Sequence, residues 1–292
     1  MVTKREILSS ETLIPRLHTR TLGRTMHVFG ACDSTNTVAR HLLSGRTSDQ
    51  AGPPNGTLIL AESQRAGRGR NGRAWVSPPG KSLLMSLILY PARWHVSAQE
   101  EAQATSGGRM APALPGLLTL AASVAVVRAL ERLGAAGCSI KWPNDVLGRT
   151  GRKLCGILTE VATVAQGPSA LIVGIGVNVN QSRTDFPPEL RDTATSVCLE
   201  AGRSVSRLEM LTALLEELEE VLNQEELAIF QEWKHLCSTL GNLVRVQLGN
   251  GEHIGQALDA APDGSLILRL PNGVLETLHS ADVLAVRPQT SV

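Results

Sequence analysis

The sequence predicts an α+β protein that ends in a small SH3-like β-barrel. Three observations predict it. Up to about residue 240, apolar runs of strand length are interspersed with amphipathic or Ala-rich helical stretches. After Leu240 the texture changes to short alternating segments broken by turn signals, the pattern of a small all-β unit. The 292 residues, 42% hydrophobic and 19% charged, suit one large soluble domain with a small one attached.

Taken in order, residues 1–26 are short and polar, a preamble of a strand or two. "DSTNTVARHLLSG" reads as a helix with Asp33 or Ser34 as N-cap, apolar Val38, Leu42 and Leu43, and Gly45 as stop. "GTLILAE" (56–62) and "SLLMSLIL" (82–89) are strands, and residues 91–113 an inserted surface loop. "LPGLLTLAASVAVVRALERLG" (114–134) is a largely buried helix. Strands follow at 138–142, 153–161 and 170–179. One long helix is expected over 207–237, opened by a capping box of Ser206 with Glu209 and striped by Leu208, Leu211, Leu215, Leu218 and Leu222. Beyond a boundary near 238–242, five strands ("LVRVQL", "HIGQAL", "SLILRL", "VLETL", "DVLAVR") are separated by Asn250-Gly251, Asp263-Gly264 and Asn272-Gly273 turns.

Composition narrows the function. The formal net charge is +1, so a domain-wide basic coat for nucleic acid is excluded. Five cysteines, none at C-x-x-C spacing, support neither a zinc ribbon nor a disulfide framework, and suit small buried groups in a reducing cytoplasm. The N-terminus lacks the apolar core of a signal peptide, and no run approaches the ~18 apolar residues of a membrane span.

Against that neutral background, "QRAGRGRNGRAW" (64–75) packs four arginines and three glycines into nine positions. Gly67, Gly69 and Gly72 fit G-x-G-x-x-G, yet Pro78-Pro79 forbid the helix that a dinucleotide site requires. Gly80-Lys81-Ser82 lacks the first glycine of a Walker A loop, since Trp75 stands there. A nucleic-acid arm would use the same arginines with Trp75 as a stacking platform, but no second basic stretch supports it. What the loop suits is holding two anions together. Glycines bring backbone N–H groups close, and guanidinium forks match carboxylate and phosphate. Joining a carboxylate to a nucleotide α-phosphate is that problem, solved by positioning and charge neutralisation. "IKWPNDVLGRTGRKLCGILTE" (140–160) supplies partners: Asn144 and Asp145 at a strand end, Lys153 as a point charge, and Gly156 for close backbone approach.

Five segments in this order, "DSTN" (33–36), "ESQRAGRGRNGRAW" (62–75), "KWPND" (141–145), "RKLCGILTE" (152–160) and "VGIGVNVN" (173–180), resemble the successive motifs of biotin–protein ligases. The resemblance spans about residues 26–287. It implies a catalytic core of mixed sheet flanked by helices (1–240), related to class II aminoacyl-tRNA synthetases and lipoyl ligases, then the C-terminal SH3-like barrel (241–292). It implies activation of biotin by MgATP to biotinyl-5′-AMP and transfer to a lysine of a biotin carboxyl carrier domain. Ser34, Thr35, Asn36 and Gln64 are implied at the biotin head group. Arg68, Gly69 and Arg70 would wrap the biotin tail and phosphate, with Gly156 beside them. Arg70 and Lys153 would carry the chemistry. Arg73, Trp75, Asn144, Asp145 and Asn178 fall on the nucleotide side, Asp145 as the candidate magnesium contact. Gly174 and Gly176 would let the sheet approach the ligand. Arg70→Gly is expected to let the adenylate escape.

Departures are visible. About 26 residues precede the core, too few for a helix-turn-helix module, so a monofunctional ligase without DNA binding is expected, cytoplasmic, and a monomer or homodimer. Asn71 stands where the family commonly has another arginine. The 181–195 segment lacks a tryptophan often found there, with Phe186 as substitute. Lipoyl or octanoyl transfer is the rival within the fold, disfavoured by "GRGRNGRAW" and "KWPND".

Overall fold

The computed structural model describes residues 6–44, 52–90, 114–163, 170–248, 251–279 and 281–287. The expected Gly45 stop, the 91–113 loop and Asn250 lie outside them. Two sheets organise the chain. The larger has seven strands in the order β1-β2-β3-β7-β6-β5-β4: β1 (Met26–Phe29), β2 (Thr57–Ala61), β3 (Ser82–Leu89), β4 (Ser139–Lys141), β5 (Asp145–Leu147), β6 (Lys153–Ala162) and β7 (Ala170–Asn178). β1 and β2 run parallel and every other neighbouring pair antiparallel, so the sheet is mixed, as expected.

The central strands are apolar on both faces, because both faces are covered. Leu83, Met85, Leu87, Val173, Ile175 and Val177 belong to the main core under α3 (Leu114–Arg132), α5 (Arg207–Leu222) and α6 (Glu226–Leu236). Ile59, Ile88 and Ile172 face the other way, against Ala39 and Leu43 of α2 (Thr35–Ser44). Val38 N donates to Ser34 O, so Ser34 opens α2 as read from the sequence.

Three expectations are corrected. The preamble holds no strand among its described residues before β1; it forms α1 (Ser10–Leu13) with a Ser9/Thr12 capping box, and a 3₁₀ turn at Ile14–Arg16. The helix over 207–237 is two helices. Asn223 donates its amide to Glu219 O at 2.8 Å, and the chain leaves helical geometry at Glu225 before α6 begins. The apolar stripe would continue onto Glu225 or Glu226, so a second helix with its own phase buries Ile229, Phe230 and Trp233 instead. The capping box is half formed: Ser206 caps the helix and accepts from Glu209 N at 3.1 Å, but the carboxylate on Ser206 and the Arg207 N–H is that of Glu6.

Before α5 lies the short α4 (Val197–Ala201). The C-terminal strands form one antiparallel sheet, β11-β10-β9-β8-β12, over β8 (Leu243–Leu248), β9 (Gly251–Ala260), β10 (Leu266–Arg269), β11 (Leu275–Leu278) and β12 (Asp282–Arg287). Among the described residues no ladder joins β11 to β12, so the sheet does not close into the expected barrel.

Candidate functional site

One face of the large sheet has its side chains pared away where the site lies. On that face the register aligns Ser86 with Gly174 and Leu158, and Leu84 with Gly176 and Gly156. The column of missing side chains is filled from outside. A Cβ on Gly174 would run into the Asn36 amide, and one on Gly176 would meet the Trp75 indole at 2.7 Å. These glycines admit Asn36 and Trp75, and both line the small cavity beside them.

The first residues of α2 are buried with their polar atoms joined. Gln64 Oε1 accepts from Thr35 N at 2.7 Å and from the Thr35 hydroxyl at 3.2 Å. The Ser86 hydroxyl lies 2.7 Å from the Thr35 hydroxyl and 2.6 Å from Asn36 Oδ1. Asn36 Nδ2 donates to Glu160 at 2.7 Å, and Glu160 also takes Arg40 at 3.1 Å and Arg68 at 2.9 Å. Ser34, Thr35, Asn36, Gln64 and Arg68 thus share a tight cavity of about 30 Å³ with Trp75, Leu84, Leu158 and Gly174. One end is rich in hydroxyl and amide groups and the walls are apolar. Ser86 and Glu160, absent from the sequence reading, tie it together.

The glycine-arginine stretch is a small hairpin. Trp75 N donates to Gly67 O, Gly69 N to Arg73 O and Arg73 N to Arg70 O. Asn71 (φ 53°) and Gly72 (φ 74°) are successive left-handed residues, the pair that a tight hairpin turn requires. Asn71 is the turn residue, and arginine suits that conformation less well. Arg65 pairs with Asp33 at 3.0 Å and Arg68 with Glu160. Arg70 reaches the other way, 3.4 Å from Asn144 Oδ1 and 3.5 Å from Ala281 O in the C-terminal sheet.

Beyond Trp75 and Arg68 opens a larger cleft of about 440 Å³. Gly69, Arg70, Arg73, Trp75, Asn144, Asp145, Lys153, Gly156 and Asn178 all line it, joined by Lys141 and Phe186. Lys153 Nζ stands 2.6 Å from Asp145 Oδ1 and 5.7 Å from the centre of the Trp75 ring. Asn144 bonds to both backbone groups of Ile157, which fixes its side chain at the cleft wall. Asn178 is different. Its amide donates to Thr195 O and accepts from Gln181, so its polar atoms brace the 181–196 segment. That segment is also pinned through Lys153, whose N–H donates to Thr193 O and whose carbonyl accepts from Thr195 N.

The donor set fits magnesium only as a companion of a nucleotide. Among the described residues no group of three or more His, Cys, Asp or Glu is placed to hold a metal. Asp145 offers one carboxylate, already beside Lys153. Magnesium needs few protein oxygens when phosphates supply the rest. Cys138 and Cys155 carry no reactive signature: burial pushes the Cys138 thiol up to about 12, and Cys155 is raised for the same reason. A separate groove of about 500 Å³, between Glu6, Arg16, Arg132 and α5, holds none of the motif residues.

Comparison with known proteins agrees with this geometry. Residues 29–180 match the Biotin/lipoate A/B protein ligase family, and residues 239–284 the Biotin protein ligase C terminal domain. The chain is 33% identical over 271 residues to the Bifunctional ligase/repressor BirA of Bacillus subtilis, covering 91% of this chain and 76% of that one. It is 32% identical over 240 residues to the Biotin--[acetyl-CoA-carboxylase] ligase of Mycobacterium tuberculosis, covering 80% of each. The biotin protein ligase of Aquifex aeolicus, solved in complex with biotin and ATP, superposes with a TM-score of 0.69 at 26% identity, over 91% of this chain and all of that one. With more than half its length in the family match and a third of its residues shared with a relative along most of the chain, the protein belongs to the biotin/lipoate A/B protein ligase family.

Proposed function

We propose that the protein activates biotin with MgATP and transfers it to a lysine of a biotin carboxyl carrier domain. The observation that carries this reading is the pairing of two cavities across Trp75 and Arg68. One is small, amide-rich and apolar-walled; the other is large and lined by Arg70, Arg73 and Lys153. The lining of the small cavity offers the donors and acceptors that a bicyclic head's ureido group needs, through Gln64, Thr35 and Ser34, and its space of about 30 Å³ admits that head only as Trp75 and the hairpin move outward. The large cleft suits a nucleotide.

The biotin carboxylate oxygen attacks the α-phosphorus of ATP, the bond to the bridging oxygen breaks, and pyrophosphate leaves with that electron pair. Both reactants are anionic, so bringing them together is the main task. Arg70 supplies a guanidinium on the wall of the large cleft. Lys153 supplies an ammonium held between Asp145 and the Trp75 ring. Asn144 and Asp145 would be the nearby oxygen donors to a magnesium ion bound to the phosphates, which would supply charge neutralisation there. The carrier lysine amine then attacks the acyl carbonyl, releases AMP and loses a proton to solvent. The reading also places the protein in the cytoplasm; no helix among the described residues is long and apolar enough to cross a membrane.

The test is pyrophosphate release measured with biotin and ATP, with and without apo carrier domain, alongside labelled biotin or lipoate transfer. Biotin-dependent release and labelling of the carrier with biotin alone are expected. Labelling with lipoate alone, or no acyl-nucleotide with either acid, overturns the proposal.

A further inference from the structure

Arg207, on the first turn of α5, lines neither cavity, yet it is 2% exposed and is the one charged side chain in the fully buried set among the described residues. A guanidinium taken out of water is stable only where its donors find acceptors and a counter-charge. This one finds them on three segments. It donates to the Glu62 carboxylate at 3.1 Å, lies 3.5 Å from Ser82 O, and donates to Glu6 O. Glu62 is the residue on which the chain leaves β2, and Ser82 is the one on which it enters β3. Everything between them is the excursion that carries Gln64, the glycine-arginine hairpin and Trp75. Gly80 N donates to Glu62 O at 3.0 Å and closes the same stem from the backbone side.

We propose that Arg207 is a positioning residue for the adenylation chemistry, clasping both stems of the 62–82 excursion so that Arg68, Arg70 and Trp75 reach the cleft in a fixed register. The inference rests on the function proposed above. Arginine suits the role because one planar group reaches several acceptors at once, which an ammonium does not. The clasp acts through the loop stem and touches no reactant.

Arg207→Lys keeps the charge and loses the fork. The double variant E62Q/R207M removes both buried charges together, which a core tolerates better than one unpaired charge. Arg128→Met serves as the control, since the ion pairs it breaks, with Glu232 of α6 and with Glu217 and Glu220 towards the C-terminal end of α5, lie away from the loop. With the full chain, the dissociation rate of biotinyl-AMP and the KM for ATP are measured beside the melting temperature and trypsin cleavage within 65–73. In R207K and in the double variant the adenylate leaves about tenfold faster, equivalent to about 1.4 kcal/mol, with KM for ATP raised and cleavage quickened. R128M lowers the melting temperature alone. Wild-type rates in both clasp variants, or an equal change in R128M at matched stability, overturn the inference. A wild-type protein that makes no biotinyl-AMP overturns the functional reading and this one with it.

Discussion

Gly176 and Asn71 show how much the site asks of single residues. An ideal Cβ at Gly176 would stand 2.7 Å and 2.9 Å from two indole carbons of Trp75. The backbone there does not need glycine, so the damage from Gly176→Ala is purely steric. Displacing a packed indole costs about 1–3 kcal/mol. Because Trp75 separates the two cavities, KM for ATP in pyrophosphate release is expected to rise several-fold; an unchanged KM shows that the indole is not held by the glycine column. Asn71 makes the opposite point. Asn71→Arg adds charge to the loop but places a long side chain on a left-handed residue, at a cost of about 1 kcal/mol, and a lower melting temperature is expected. An equal or higher melting temperature refutes the turn role. The Asn-Gly pair that marks this turn in the sequence is the same signal that marks 272–273. At 71–72 it sits inside a run of arginines, where charge draws the eye first.

At the scale of elements, what was legible was what the strands and helices carry in themselves. β3, β8 and β12 coincide with the apolar runs that predict them, and Ser34 opens α2. β1 and β5 were not legible, being four and three residues of half-buried pattern whose extended form comes from β2 and β6 beside them. The break at Asn223 was written in the polar run 223–226, which puts acidic residues where the stripe should continue. The site divides the same way. Arg70, Asn144 and Lys153 stand out by type and spacing, and Gln64 through the resemblance its motif carries. Glu160 and Ser86 act only through the register that brings them to Asn36, 124 and 50 residues away in sequence. The hairpin is itself an element with few supports beyond its stem, so it belongs among the easily opened parts of the fold. Adding biotin and ATP is expected to slow trypsin cleavage within 65–73 several-fold. Cleavage unaffected by both ligands together argues against the loop as their cover.

The whole molecule depends on how the C-terminal sheet rests on the large one, because Ala281 reaches Arg70 across that junction. Polar contacts among the described residues add to the apolar core that the two sheets share. Trp142 Nε1 donates to Gly264 O at 2.8 Å, Lys234 pairs with Asp259 at 2.6 Å, and Gly116 of α3 abuts the Asp263 carbonyl. The hydrogen bond from Lys234 holds the Asp259 carboxyl below its ordinary value of 3.8, with burial opposing and the Ala260 N–H adding. A carboxyl lowered in the folded state contributes stability that is complete above the ordinary value and is lost as pH falls through the lowered one. Wild type and Asp259→Asn are therefore expected to differ in melting temperature at pH 5 and to converge as the pH falls from 3.8 through the lowered value; a constant gap removes this pair from the acid response. Gly116 gives the sharper test. In an exposed helix, glycine to alanine stabilises by about 1 kcal/mol. Here the new methyl has to push the 261–265 turn off α3, and with it go the Trp142 bond, worth about 1 kcal/mol, and the seat of Ala281 beside Arg70. Gly116→Ala is expected to lower the melting temperature by about 2–6 °C and to slow adenylate formation together with it. A variant that melts higher and still forms biotinyl-AMP at the wild-type rate shows that the two sheets are not coupled through this contact.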